Sequence, residues 1–518
     1  MGKSVNNEIM LITYADCMGN DLNDLENVLN KYLEGAVGGL HILPFFPSSA
    51  DRGFAPTTYK EVDPVFGTWE NIERLSKKYY LMYDYMINHL SIESDIFKDF
   101  IQKKDDSKYK DFFIRYKDFW DGGEPTEEQL GKLYKRKNSP YITVTFADGS
   151  QEKLWTTFSE YQIDINCQHS EVAKQFMRDN LTFLCEHGAS LIRLDAFAYA
   201  SKKAGTNCFF IEPDVWNLMD ECKEVLEPYH AQLLPEIHEH YFIQKKLEEK
   251  SYYTYDFQLP MLLLNAVHFG KTMYLKNWLK ICPRKQFTTL DTHDGIGVVD
   301  VRYLMPDEEV LATKQKVFEL NPDITEVYIK ADFEINFKKF DTYQINCTYY
   351  SALGEDDNKY LISRAVQFFT PGIPQVYYVG LFAGKNDFEL YHKTEQHRDI
   401  NRHYYSLDEI KTEFERPVVQ KMNRLMKFRN THPAFDGQFM LLNSDDHSLH
   451  IRWEKDVEYT ELYVDFETFK WNIIYSENGN SYFLIVSIMS PQLFRTGYNF
   501  CILFYICSKI YALTASNL

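Results

Sequence analysis

Three apolar, strand-like runs of this chain close on carboxylates: residues 190–195 (SLIRLD), 232–236 (QLLPE) and 286–294 (QFTTLDTHD). Taking a carboxylate out of water costs several kcal/mol, so one at the end of a buried strand belongs in a cleft. Arg193 and Asp195 alternate along their strand and point to the same side. A guanidinium beside a carboxylate favours its ionised form, which is the state a nucleophile needs at an anomeric carbon, and Asp195 is the expected nucleophile. Taken alone, this Arg–Asp pair reads equally well as an ion pair bracing a sheet; Glu236 and Asp294 tip the reading towards chemistry. Glu236 follows Leu-Leu-Pro, and an apolar setting raises a glutamate pKa, as a proton donor to a leaving oxygen requires. Asp294 beside His293 would steady positive charge and hold hydroxyls. A nucleophile, a proton donor and a charge-stabilising group are the set that glycoside transfer uses. His238 and His240 alternate with Glu236 and would order the acceptor side. Their His-Glu-His run also suggests a metal, but the spacing is not HExxH and no cysteine accompanies it, so no metal is expected.

The elements that must position these groups recur eight times. Strand-like runs fall at 10–14, 39–44, 81–88, 191–195, 233–237, 253–258, 287–291 and 374–379, with amphipathic helical spacing at 21–33 and 69–78. Strands alternating with helices predict an α/β fold with a parallel sheet, and eight repeats predict a (β/α)8 TIM barrel whose site lies at the C-terminal strand ends. The barrel is expected over 1–89, 167–296 and 358–435, interrupted by inserted subdomains at 90–166 and 297–357. A small all-β domain is expected over 436–482, from runs at 447–453, 459–465 and 468–475. Residues 483–518 are apolar without periodicity, and Lys509 leaves the stretch short for a membrane span. They read as an aberrant end with no assigned function.

At 518 residues the chain has room for more than one domain, and 45% hydrophobic with 25% charged residues is the balance of a soluble globular protein. A formal charge of −19 disfavours nucleic acid and anionic membranes as partners and says little about a neutral sugar. Nine scattered cysteines without a CxxC read as reduced thiols, and the first residues lack the apolar core of a signal peptide, so the cytoplasm is the expected location. Monomer and homodimer both remain open.

Four of these segments, 84–89 (DYMINH), 193–196 (RLDA), Glu236 and His293-Asp294, resemble in order the four motif regions of the α-amylase superfamily of glycoside hydrolases. In that family the corresponding residues are nucleophile, acid/base and transition-state stabiliser, the roles argued for Asp195, Glu236 and Asp294. Six further runs, GLHILPFFP (39–47), AFAYASKKAG (196–205), LPEIHEHY (234–241), TLDTHDGIGVV (289–299), GIPQVYYVGLFAG (372–384) and RDINRHYY (398–405), resemble the sucrose phosphorylases, and the similarity runs from about residue 10 to 435. The resemblance implies a retaining transfer of glucose from sucrose to inorganic phosphate, with both as small-molecule substrates and no cofactor. Asp51 and Arg398 would grip the far end of the glucose, and His89, Arg193, His293 and Asp294 its other hydroxyls. Phe54 and Phe158 would be aromatic walls, with Gln162 and Tyr199 lining the pocket. Asp341, Tyr343 and Gln344 match a mobile loop that exchanges fructose for phosphate recognition, opposite Tyr134 and Arg136, with Lys137 as the alternative to Arg136. Relatives acting on sucrose 6'-phosphate, glucosylglycerate or glucosylglycerol are the neighbouring possibilities, together with an α-glucoside hydrolase or transglucosidase; Tyr343 favours plain sucrose. Arg52 is an added charge that some members lack, and the end beyond Tyr482 does not resemble the family.

Overall fold

The computed structural model describes residues 2–328 and 342–484. Eight parallel strands form the central sheet: β1 (Met10–Thr13), β2 (Gly39–Ile42), β3 (Tyr80–Met86), β4 (Ala189–Asp195), β5 (Gln232–Pro235), β6 (Thr254–Asp256), β7 (Gln286–Thr288) and β8 (Ile373–Tyr377). The ladder runs β6-β7-β8-β1-β2-β3-β4-β5, and β5 comes back beside β6 to complete the barrel. Strands covered on both faces are largely apolar, and every residue of β3 is buried, Asp84 among them. Met10, Met82, Leu191, Leu234, Tyr255 and Phe287 meet in one cluster, so the barrel is a packed core and not a pore. The outer helices follow from their own signals. Leu22–Tyr32 opens on Asp21, whose carboxylate accepts the N–H groups of Asn23 and Asp24, and it buries Leu22, Leu25, Val28 and Leu29 along one stripe. Trp69–Ser76 opens with a Thr68/Asn71 capping box.

All eight strands lie where the sequence places them, but several stop early. β3 ends at Met86, and β8 gives way after Tyr377 to a helical turn, Tyr378–Leu381. The largest difference is β7, which ends at Thr288, so Asp294 sits on a loop and not at a strand end. The cause is a set of competing partners. Asp291 turns to a buried ion pair with Arg364 at 2.6 Å, and the Asn401 amide donates to the carbonyls of Thr292 at 2.9 Å and Asp294 at 3.4 Å.

After β3 the chain builds a hairpin, Tyr141–Thr145 with Gln151–Trp155, and a short pair, His89–Ser91 with Gln162–Asp164. Tyr116, Trp120, Leu133 and Trp155 pack inside this region. After β7 come the helix Asp307–Leu320 and a three-stranded antiparallel sheet of Ile296–Gly297, Thr342–Asn346 and Thr325–Tyr328. A five-stranded antiparallel sheet follows, Gln438–Leu441, Ser448–Lys455, Glu458–Asp465, Lys470–Glu477 and Asn480–Leu484, each paired with the next. Its last strand includes Phe483 and Leu484, which the sequence reading gave to the tail; their backbones pair with Ile474 and Ile473. The remainder of that tail, and Asp341 of the acceptor loop, lie outside the described residues. Among the described residues no helix is long and apolar enough to cross a membrane, and seven cysteines are buried free thiols.

Candidate active site

The register of β3 against β4 sets Asp84 beside Arg193 and Met86 beside Asp195. With a side-chain period of two, Asp84, Arg193 and Asp195 all face the barrel interior. Arg193 Nη1 pairs with Asp84 and lies 2.9 Å from Asp195 Oδ1, while Nη2 lies 3.7 Å from Glu236 Oε1. The second oxygen of Asp84 is 2.7 Å from His41 Nε2, both side chains fully buried. Burial works against charge on Asp84, yet His41 and Arg193 hold it down to about 2. Neither Asp84 nor His41 was singled out by the sequence reading. Their signals were the leading Asp of DYMINH and the lone histidine in an apolar run.

The expectation that Arg193 holds Asp195 ionised needs correction. Burial pushes the Asp195 carboxyl up, Arg193 pulls it back, and Glu236 and Asp84 push it up again, to about 8. One guanidinium is divided among three carboxylates, so it does not offset the burial of Asp195.

Glu236 directly follows β5. Its N–H donates to the Leu194 carbonyl at 3.0 Å, and its Oε2 accepts the Ala196 N–H at 3.0 Å. That amide faces Glu236 because Ala196 adopts φ 52°, a left-handed turn immediately after the nucleophile candidate. His238 stacks on Phe257 at 3.8 Å, and its Nε2 lies 3.4 Å from Glu236 Oε1 and 3.4 Å from the Gln344 amide. Its Nδ1 meets Asp300 at 3.2 Å. Burial disfavours the His238 proton, but the Asp300 carboxylate raises its pKa above the ordinary value. Asp300, fully buried, is a second omission of the sequence reading. Gly297 makes room for it, since a Cβ there would stand 2.2 Å from Asp300 Oδ2.

Asp294 lies 2.9 Å from Arg398 Nη1 and 4.0 Å from Arg402 Nη2. Burial opposes its charge, but Arg398, His293 and Arg402 together hold its carboxyl well below the usual range. His293 stacks face to face on Phe54 at 4.8 Å, and burial keeps it neutral far below the ordinary histidine pKa. Arg402 is a third omission. It donates to the His293 carbonyl at 2.9 Å and is the arginine beside Asp51, at 3.9 Å, the place the sequence reading gave to Arg398. Its signal stood in the same RDINR run. Arg52 lies 4.4 Å from the ring centres of both Tyr14 and Tyr404.

These groups border a cavity of about 500 Å³ including its mouth. Asp195, Glu236 and Asp294 form one side with Asp51, His293 and Arg398. Phe54, Phe158, His89 and Gln162 form another; His89 Nε2 and the Gln162 amide both meet the Phe54 carbonyl, at 2.9 and 2.8 Å. Arg136, Tyr199 and Tyr343 form the third, with the Arg136 guanidinium 3.8 Å over the Tyr343 ring. Thirteen of the expected site residues therefore border one cavity. Arg193, His238 and Gln344 stand behind its wall, and Tyr134 packs on Phe209 at 4.4 Å outside it. Lys137 turns to Thr156, leaving the cavity position to Arg136. Possible ligand atoms of Glu236, His238 and Asp294 lie within 4.8 Å of one another, but a metal ion there would meet the guanidinium groups of Arg193 and Arg398.

Residues 12–294 match the family description "Alpha amylase, catalytic domain". The chain is 50% identical to the sucrose phosphorylase of Streptococcus mutans, over 83% of this chain and 89% of that one. It is 44% identical to the glucosylglycerol phosphorylase of Marinobacter adhaerens, over 92% and 98%. The crystal structure of sucrose 6F-phosphate phosphorylase from Thermoanaerobacter thermosaccharolyticum superposes with a TM-score of 0.90 at 40% identity, covering 93% of this chain and 99% of that one.

Proposed function

The chain belongs to the α-amylase family, among its phosphorylases, and from that premise we propose that it transfers glucose from sucrose to inorganic phosphate, giving α-glucose 1-phosphate and fructose. In the first step an Asp195 oxygen bonds to the anomeric carbon as the bond to the fructosyl oxygen breaks, and Glu236 gives that oxygen its proton. In the second, a phosphate oxygen displaces Asp195, and the phosphate proton returns to Glu236. Asp294, held ionised between Arg398 and Arg402, stabilises the cationic sugar between the two covalent states. Paired Asp51 and Arg402 close the far end of the cavity, which suits a single glucosyl unit and not an internal cut in a polymer.

The observation that carries phosphate as the acceptor is Arg136. It reaches the same cavity as the carboxylates, lies on the Tyr343 ring, and has an Nη1 with no hydrogen-bond partner in regular geometry. A guanidinium with spare donors in a dry site binds phosphate without a metal. We propose no cofactor and no metal for this reaction.

Incubation with sucrose, with and without inorganic phosphate, tests this directly. Glucose 1-phosphate equal to fructose and dependent on phosphate is the expected result. Fructose with only free glucose would make the protein a hydrolase or transglucosidase. Turnover of sucrose 6'-phosphate, glucosylglycerol or glucosylglycerate in place of sucrose would move the assignment to those substrates.

A further inference from the structure

Behind the acceptor wall lies a second cavity, of about 310 Å³ including its mouth, and Arg136 and Tyr199 line both. Its charge is opposite to that of the first. Lys135, Arg136, Lys137 and Lys202 line it, and no carboxylate does among the described residues. Lys202 is tied to Asp164 at 2.7 Å, and Asp164 and Glu160 also act on Lys137, so the four cations outnumber the two nearby carboxylates. The catalytic cavity carries Asp51, Asp195, Glu236 and Asp294 against Arg136 and Arg398, in a chain whose formal charge is −19. An anion is disfavoured by the four carboxylates of the catalytic cavity and favoured by the cations that line the second one.

The shared wall is also short of partners. The Tyr134 hydroxyl is buried with none, and the Tyr199 hydroxyl and Arg136 Nη1 face each other without closing a regular hydrogen bond. Tyr199 is 6% exposed, so its hydroxyl depends on a ligand or on Arg136 for compensation. Lys137 is half-buried with Thr156 as its partner, and burial lowers its pKa, a setting in which an anion is a favourable neighbour.

We propose that the second cavity is an oxyanion antechamber that captures inorganic phosphate apart from the catalytic carboxylates and delivers it through the Arg136–Tyr199 wall. The antechamber rests on the phosphorolysis reading above. It supplies an anion to a pocket in which four carboxylates outnumber two cations.

Lys137→Met tests it, with Lys137→Arg as the conservative control. The measurement is glucose 1-phosphate formation against phosphate concentration at saturating sucrose, at low and high salt, beside sucrose hydrolysis in phosphate-free buffer. The phosphate KM of Lys137→Met should rise about tenfold and lose much of its salt dependence, one charge's share in steering an anion. Sucrose KM and hydrolysis should stay unchanged, and Lys137→Arg should behave as the parent. An unchanged phosphate KM in Lys137→Met would overturn the antechamber, as would a parallel fall in hydrolysis, which would assign Lys137 to the fold. A parent protein that makes no glucose 1-phosphate would instead remove the reading on which the site rests.

Discussion

On one side of the catalytic cavity, Arg193 is held by Asp84, Asp195 and Glu236, and Asp294 is held by Arg398 and Arg402. On the other, Arg136 rests on an aromatic ring, and the hydroxyls of Tyr134 and Tyr199 have no regular partner. The first side is over-determined: each charge has at least one opposite charge, and in the proposed reaction those charges face the part of the substrate that stays in place through both steps. The second side is under-determined, as it must be if fructose leaves and phosphate takes its position. Buried polar atoms without partners cost about 1–3 kcal/mol each, and a ligand can recover that energy on binding. In the proposed reaction, rigidity falls at the glucose and adaptability at the acceptor.

The severest way to break this comparison is to remove the nucleophile. Asp195→Asn should lower turnover by about 10⁴-fold or more, because a covalent step has no substitute group. The protein should stay folded, since relief of one carboxylate in a crowded cluster does not cost stability; circular dichroism and thermal unfolding check this. Activity near that of the parent would place the nucleophile elsewhere. Arg193→Met attacks the rigid side as structure as well as chemistry. Stripping a buried ion cluster of its shared cation costs about 3–5 kcal/mol, measurable by denaturant unfolding, along with nearly all activity. A loss of activity with no loss of stability would mean that Asp84 and His41 do not brace the floor.

Arg136→Ala attacks the adaptable side and should separate two activities. Phosphorolysis should fall by about 10²-fold while phosphate-free hydrolysis of sucrose changes little, since the glucosyl transfer to Asp195 does not use Arg136. Equal loss of both would merge the two sides into one. The pH profile probes the Asp195 proton. Burial, with the Glu236 and Asp84 carboxylates, raises the Asp195 carboxyl to about 8, so the ionised form that attacks the anomeric carbon is depleted as the pH falls below that value. The expected profile of kcat/KM therefore falls on its acid side, by about tenfold per pH unit, as Asp195 takes up its proton. Glu236→Gln removes a charge that pushes Asp195 up, so glucosylation from an activated donor that needs no acid should become possible at lower pH than in the parent.

The contrast between the two sides also governs what could be read from sequence. Asp195, Glu236 and Asp294 were legible because a charge at the end of an apolar run stands out, and the barrel was legible because its strands are short, largely apolar runs that recur between helices. Asp84, His41, Asp300 and Arg402 were not singled out, although each lies inside or beside a quoted run. Their function is to satisfy another charge across strands or loops, as Asp84 does for Arg193 through the β3–β4 register, and no local pattern encodes such a contact. The early end of β7 had the same origin: Arg364, more than seventy positions away, takes Asp291 out of the strand. Arg136 was chosen with Lys137 held as its alternative for a different reason. Adjacent residues of like charge on a loop are separated only by which cavity each one faces.

The finest test concerns how Tyr343 keeps Arg136 in place. The guanidinium lies 3.8 Å over the ring, and burial pushes the phenol well above its ordinary pKa, so the hydroxyl stays neutral. If the ring face is what matters, Tyr343→Phe keeps the cation–π contact and should change the phosphate KM by no more than about threefold. Tyr343→Ala removes a contact of about 0.5–2 kcal/mol and should raise that KM several-fold, to about tenfold, with hydrolysis little altered. If the two variants lose equally, the hydroxyl and not the ring holds the acceptor. The aromatic support of Arg136 would then be incidental, and the adaptability of this wall would rest on hydrogen bonds alone.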